Sequence, residues 1–309
     1  MKKDEIHFLE YRISDQEEGK EVLSILREDL LLTTRKIRAI KQEEFGILLE
    51  GKRVTVREHV KAGELLQIML NDKEGEDRIV PYDIPVKILY EDDNLLFANK
   101  PSGIVSHPSI GHKYDSFAGA IKAYLLAKGE SCGIHLIGRL DKDTSGILGI
   151  AKNSVTKERM IRARQEGKIK KEYIALAEGN FPSKEPSVVT IPMEEYRDEE
   201  DGYKLKMRRA LEAEKGLTAI TNYQLIENLE GSSLLSVQIE TGRMHQIRFH
   251  MAEMGHPLIG DEIYGKANEE IKRAALHAYK VAFQHPYEDR KIEILAEMPE
   301  DFKKYMKKR

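Results

Sequence analysis

Gly138-Arg139-Leu140-Asp141-Lys142-Asp143-Thr144-Ser145-Gly146 lies between two apolar runs, Ile134-His135-Leu136-Ile137 before it and Ile147-Leu148-Gly149-Ile150 after it. A tight polar turn between two buried segments is the setting of a carboxylate held in a loop. Arg139 and Asp141 are separated by a single leucine, and the neighbouring positive charge favours the ionised carboxylate. An ionised carboxylate in a partly dry pocket can act as nucleophile or base. A surface turn with a local ion pair would use the same residue types, so the choice rests on the remainder of the chain.

The 309 residues suffice for about two domains. Hydrophobic residues make up 40% and charged residues 33%, which supplies a substantial core under a well-solvated surface. No apolar run approaches the roughly 20 residues of a membrane span. Met1-Lys2-Lys3-Asp4-Glu5 leads into no long apolar segment, so no signal peptide is expected. The sole cysteine, Cys132, excludes an internal disulfide and a cysteine-based zinc site, and a reducing cytoplasm is the natural compartment. A formal net charge of −3 argues mildly against a protein that coats nucleic acid. The charge is uneven, however. Lys157, Arg159, Arg162, Arg164, Lys168, Lys170 and Lys171 share a stretch with only Glu158 and Glu166 as acids. That cluster is either a solvated helix face or a patch for phosphates.

Residues 1–70 read as a small independent unit. Val22, Leu23, Ile25, Leu26, Leu30 and Leu31 recur at helical spacing. Thr33-Thr34 caps a helix over Arg35 to Lys41. Gly46 to Lys52 and Arg53 to Val56 form a turn-separated strand pair, and Leu65 to Leu70 a closing strand. The segment resembles the S4-type RNA-binding module in Arg35, Lys36, Arg38, Gly51, Lys52, Val54, Gly63 and Glu64, with Glu64 in place of the usual aspartate. On that resemblance Arg35, Lys36, Arg38 and Lys52 are expected to meet RNA phosphates, with Lys41 on the same helix. Residues 71–84 have linker composition and mark the domain boundary.

From residue 85 strands mix with helices. Val86 to Tyr90 and Leu95 to Ala98 are predicted strands, as are Glu172 to Ala177, Ala219 to Glu227 and Leu234 to Ile239. Helices are predicted at Ser116 to Ala127, Val155 to Gln165 and Gln246 to Met254, the last ended by Gly255. The elements do not alternate strictly, so a doubly wound parallel sheet is disfavoured. An α+β fold with a mixed or antiparallel sheet and flanking helices fits better.

Four further segments carry potential chemistry. Asn99-Lys100-Pro101-Ser102-Gly103 holds a lysine at a strand end, either as a substrate contact or as a structural turn. In Lys170-Lys171-Glu172-Tyr173 the tyrosine begins a strand, where half-buried packing is the commoner role. Thr241-Gly242-Arg243-Met244-His245-Gln246-Ile247-Arg248 is dense in planar donors at a helix N-terminus and suits an anion, through Arg243, His245, Gln246 and Arg248. His245 and His250 are five apart, off a common helix face, so no metal site is expected. Gly255-His256-Pro257-Leu258-Ile259-Gly260-Asp261 with Tyr264-Gly265, followed by Leu276-His277-Ala278, completes the set.

These segments, in this order, resemble the RluA-type pseudouridine synthase family. The match runs over Ile88 to Pro101, Arg139 to Gly146, Lys171 to Ala175, Thr241 to His250, Gly255 to Gly265 and Leu276 to Ala278, most of residues 85–295. The resemblance implies the pseudouridine synthase fold over residues 85–309, RNA as partner, ribosomal RNA ahead of transfer RNA, a monomer, and no metal, nucleotide or redox cofactor. No P-loop or dinucleotide fingerprint is present. It implies Asp141 as the catalytic carboxylate, Tyr173 as the ring that stacks on the base and assists proton removal from C5, and Arg248 as the ion-pair partner of Asp141. Leu276 would wall the base, and Arg139 would fill the space left by the flipped uridine. Arg162, Lys170 and Lys171 become expected phosphate contacts. The family usually carries histidine before the arginine; here that position is Gly138.

Two rivals use the same residues. A glycoside hydrolase would need a second carboxylate about 5–9 Å from Asp141, and Asp143 shares its turn. A non-catalytic RNA-binding protein on this fold would be free to replace Asp141 or Tyr173, and both are present.

Overall fold

The computed structural model describes residues 6, 8–70, 79–130, 133–198, 204–212 and 214–309. Cys132 and the 71–78 part of the expected linker lie outside them. The N-terminal unit runs β1 (Phe8–Arg12), α1 (Val22–Ser24) prolonged by a wider helical turn (Ile25–Asp29), α2 (Thr34–Gln42), β2 (Ile47–Leu49), β3 (Lys52–Arg53) and β4 (Leu65–Met69). The second unit begins with β5 (Lys87–Glu91), β6 (Leu95–Lys100), α3 (Phe117–Ala127), β7 (His135–Leu136), β8 (Ser145–Ala151), α4 (Ser154–Gln165) and β9 (Lys170–Glu178). It continues through β10 (Ser187–Val189), β11 (Met193–Asp198), β12 (Lys204–Arg209), β13 (Thr221–Leu229), β14 (Ser232–Ile239) and α5 (Gln246–Glu253). β15 (Leu276–Gln284), β16 (Lys291–Leu295) and α6 (Glu300–Lys307) end the chain.

In the N-terminal unit the Thr33 hydroxyl accepts the Lys36 N–H at 3.2 Å and starts α2. Ile37 and Ile40 then pack with Val22, Ile25 and Leu26 against Leu66 and Ile68 of β4. The sheet order is β1-β4-β2-β3. β1 is not among the expected strands; its partner β4 lies more than fifty residues on, beyond the reach of local pattern. Lys36 corrects the expected RNA face: it is buried, whereas Arg35, Arg38 and Lys52 are exposed.

The two units share packing. Val155 of α4 belongs to the N-terminal core, with Tyr287 against it. Arg159 lies over the Tyr287 ring at 4.6 Å and donates to the Pro286 carbonyl. The second half of the expected linker is also packed rather than free. Ile79 is buried, Ile84 sits against the main core, and the Tyr82 N–H donates to the Gly119 carbonyl of α3.

The second unit is built on a sheet of order β10-β13-β14-β9-β15-β8-β6-β5, with β16 on β15 and β7 on β8. Every pairing is antiparallel except β15 with β8. This is the mixed sheet the irregular element order predicts. Alternation along β9 sorts the two faces. Tyr173 and Ala175 join the core formed with α3 and α5, while Ile174 and Leu176 join that of α6. Among the described residues no helix is long and apolar enough to cross a membrane.

A half-buried charge cluster ties β5 to α3 and to the end of β8. Glu91 accepts hydrogen bonds from Lys128 at 2.8 Å, Lys152 at 2.9 Å and Tyr124 at 2.8 Å, and Lys152 also pairs with Glu130. Burial alone would raise the Glu91 carboxyl; the hydrogen bonds outweigh it and lower its pKa to about 2. A depressed carboxylate stabilises the fold above its unfolded pKa and loses that contribution as pH falls through the folded value. Glu91→Gln should therefore cost about 1–3 kcal/mol at neutral pH. It should also flatten the stability profile between about pH 4.5 and 2. Urea titrations across that range provide the measurement, and an unchanged acid limb would contradict the assignment.

Candidate active site

The turn from Leu140 to Asp143 has all four carbonyls tied down. The Ser106 hydroxyl donates to the Leu140 carbonyl at 2.6 Å and accepts the Leu140 N–H at 3.0 Å. The Asp141 carbonyl accepts the Thr144 N–H, and the Lys142 carbonyl accepts the Gly103 N–H. The Lys100 ammonium donates to the carbonyls of Pro101 (2.9 Å), Ile104 (2.7 Å) and Lys142 (3.0 Å). Arg273 Nη1 donates to the carbonyls of Asp143, Ala274 and Leu276, while Nε and Nη2 hold Asp301 of α6. Lys100 thus departs from its expected substrate contact. It is fully buried, and its three protons all serve backbone carbonyls. Burial, partly opposed by Asp143 and Asp141, brings its pKa down to about 7.

The turn feeds β8, whose parallel pairing with β15 sets the site's width. Ala278 is opposite both Gly146 and Tyr173, so two strand spacings, roughly 10 Å, separate the last two. The approach demands glycine. Gly146 has φ of +110°, and a Cβ there would lie 2.3 Å from the Ala278 carbonyl oxygen. Leu276 and Tyr173 project from the same face of the sheet, into one core. Tyr173 is 6% exposed. Burial, then the charge of Asp141, pushes its phenol well above the usual range, so the ring is neutral.

Helix α5 supplies the third wall. His245 caps it from the left-handed region, at φ of +53°. Its Nδ1 shares a hydrogen bond with the Tyr264 hydroxyl at 3.0 Å. Burial lowers the His245 pKa against the opposing pull of Asp141. Arg248 is buried and makes a bidentate pair with Asp261, Nε and Nη2 each at 2.7 Å. Asp261 also accepts the N–H groups of Ile263 and Tyr264. The expected direct pair of Arg248 with Asp141 is therefore replaced by Asp261, and Asp141 acts on Arg248 only through space. Gln246 also departs from expectation. Its Oε1 accepts from Thr241 and Arg243, its Nε2 donates to Ile220 and Thr221, and it is buried. It staples the loop to β13 and has nothing left for a ligand. Arg243 is exposed, with Nε on the Thr218 carbonyl. His250 is buried between Thr221 and Ile191.

Arg139 is exposed at the rim of the turn, and Lys170 is exposed at the start of β9. The basic run breaks up on folding: Arg159 turns inward, and Arg162 and Lys168 share Glu166. Three residues that complete the site carried no local signal. Ser106 and Arg273 are distant in sequence from the turn they hold, and Asp261 stands in a noted segment without an assigned partner. Among the described residues no cluster of His, Cys, Asp and Glu is arranged to hold a metal ion.

The sequence profile of the RNA pseudouridylate synthase family matches residues 94–253, the span that holds Lys100, the Asp141 turn, Tyr173 and Arg248. The chain is 32% identical over 279 residues to YjbO of Bacillus subtilis (strain 168), described as an uncharacterized RNA pseudouridine synthase; the match covers 90% of this chain and 96% of the relative. It is 34% identical to ribosomal large subunit pseudouridine synthase D of Haemophilus influenzae, over 80% of this chain and 77% of that one. Among solved structures, human RNA pseudouridylate synthase domain containing 1 shares the fold, with a TM-score of 0.56 at 22% identity over 70% of this chain and 84% of that one. On sequence and fold together, the chain belongs to the RNA pseudouridylate synthase family and is an RNA-modifying isomerase of the RluA type.

Proposed function

We propose that Asp141 carries the isomerisation and that the substrate is ribosomal RNA, modified in the cytoplasm by a monomeric enzyme. The reaction breaks the C1′–N1 bond of a uridine, turns the ring, joins C1′ to C5 and releases the C5 proton. A single carboxylate serves this as nucleophile toward C1′ or the ring, or as base toward the sugar. The observation that carries the reading is convergence. The charge of Asp141 acts on Lys100, Tyr173, His245, Arg248 and Tyr264, contributed by four separate segments. Tyr173 provides a neutral ring for the base, worth roughly 1–3 kcal/mol of stacking, and Leu276 provides the apolar wall. Arg139, exposed beside the carboxylate, is free to enter the stack that the uridine leaves. Arg248, fixed by Asp261, supplies positive potential without neutralising Asp141 through direct contact. Arg35, Arg38 and Lys52 present the N-terminal unit to RNA phosphates, in keeping with its S4-like pattern.

The test is tritium release from RNA labelled at uridine C5. Wild-type protein should release tritium, and Asp141→Asn should lower the rate by about three orders of magnitude or more. Accumulation of free uracil instead would overturn the isomerase role of this carboxylate. Lys100 acts as a positioning residue. Lys100→Met leaves three carbonyls without their donor and loosens the turn, so kcat should fall about 10–100-fold at nearly unchanged KM. A rise in KM alone would instead return Lys100 to substrate contact. Mapping pseudouridine in ribosomal and transfer RNA from cells with and without the protein addresses the substrate. Loss confined to ribosomal RNA is expected, and loss confined to transfer RNA would overturn that part.

A further inference from the structure

Gly138, where the family resemblance leads one to expect histidine, opens a space that two cations occupy. A Cβ on Gly138 would lie 3.1 Å from Lys171 Nζ and 3.8 Å from Arg164 Nη1. The other end of the same guanidinium, Nη2, lies 3.8 Å from the Cβ position of Gly242. Arg164 therefore spans from the turn that carries Asp141 to the loop that leads into α5. It reaches there from the last turn of α4, and Lys171 reaches from β9, two residues before Tyr173 and on its side of the strand. Neither cation has an acidic partner within 4 Å among the described residues, whereas Arg162 and Lys168 nearby are both paired with Glu166. Burial, together with the charge of Arg164, depresses the Lys171 ammonium to about 8. Two like charges held together at the mouth of a pocket, one of them partly desolvated, are best satisfied by an anion.

We propose that Arg164 and Lys171, meeting in the space left by Gly138, form a clamp for a single RNA phosphodiester of the strand that enters the Asp141 pocket. The planar guanidinium offers paired donors and the ammonium a point charge to the same phosphate. The phosphate would sit between the two loops, and so fix the strand relative to both Asp141 and Tyr173. This assignment rests on the reading of Asp141 as the reaction centre, and it adds the group that registers the RNA there.

A fluorescein-labelled oligouridylate tests the clamp by binding, without need for turnover. Arg164→Gln and Lys171→Gln should each weaken binding about fivefold at low salt. Each should also reduce the slope of log K against log salt by ~0.7, the value for one phosphate on a single strand. The double variant should lose no more slope than either single variant, because both cations serve one phosphate. Gly138→His keeps both charges but fills the space, and should reproduce the loss. Arg164→Lys should largely restore the slope. Unchanged slopes, or slopes that add in the double variant, would overturn the clamp. Should Lys171→Gln fail to fold, Arg164→Gln at the exposed helix end and Gly138→His decide alone. Tritium release measured in parallel separates the two readings: its absence in wild type counts against Asp141, whereas intact release with unchanged salt slopes counts against the clamp.

Discussion

A lysine ammonium buried beneath the Asp141 turn is the constraint on which the site depends. The Lys100 ammonium donates to three carbonyls, one of them on the residue after Asp141. Desolvating an ammonium is costly, and the cost is met only if all three carbonyls stay in place. The turn is thereby held from below by a group that tolerates little displacement. Arg273 does the same for the next carbonyl and extends the restraint to α6 through Asp301. Ser106 completes it at Leu140. A loop would ordinarily be the mobile part of a fold. Here all four of its carbonyls are hydrogen-bonded, and the Asp141 side chain rides on a restrained base, as positioned chemistry requires.

The charges around Asp141 are arranged so that they do not cancel it. Arg248 gives both of its bidentate bonds to Asp261, and Asp261 is further held by two backbone N–H groups. That pair is internally satisfied, which is what makes two buried charges tolerable. Arg248 then contributes potential at Asp141 without a contact that would occupy the carboxylate oxygens. Tyr173 stays neutral because burial and the nearby anion oppose its ionisation. His245 is drawn toward the neutral form by burial. Around Asp141, Arg248 is thus already paired and Tyr173 is neutral.

How much of this was legible in the sequence depended on distance along the chain. The turn, its flanking strands, the caps at Thr33, Ser116 and Asn153, and the start of α5 are local features, and the structure contains them. Tyr173, Leu276 and Asp141 were assigned through family resemblance, and the register of β8, β15 and β9 brings their segments together. What failed was partner choice. Lys36, Lys100 and Gln246 are residue types that favour the surface, yet each is buried. Nothing local distinguishes a lysine that reaches for a phosphate from one that reaches for three carbonyls. Only the strand-end position of Lys100, two residues beyond the apolar run Leu95 to Ala98, points to burial. β15, the strand that joins both halves of the site, was missed because its pairing partners are remote.

The net charge of −3 also takes on a different meaning once the acids are located. Asp261 and Asp301 are paired with Arg248 and Arg273, Glu91 with Lys152, and Glu166 is taken up by Arg162 and Lys168. Arg139 and Arg243 are exposed on the loops that border the pocket, and Arg164 stands between those loops. An approaching polyanion responds to the local field within about a Debye length, roughly 8–10 Å, rather than to the total charge. Acids committed to internal pairs add little to that field, while cations without acidic partners dominate it. A mildly acidic chain can therefore present a cationic mouth to RNA, and the same internal pairing that keeps the Asp141 turn rigid is what leaves the mouth positive.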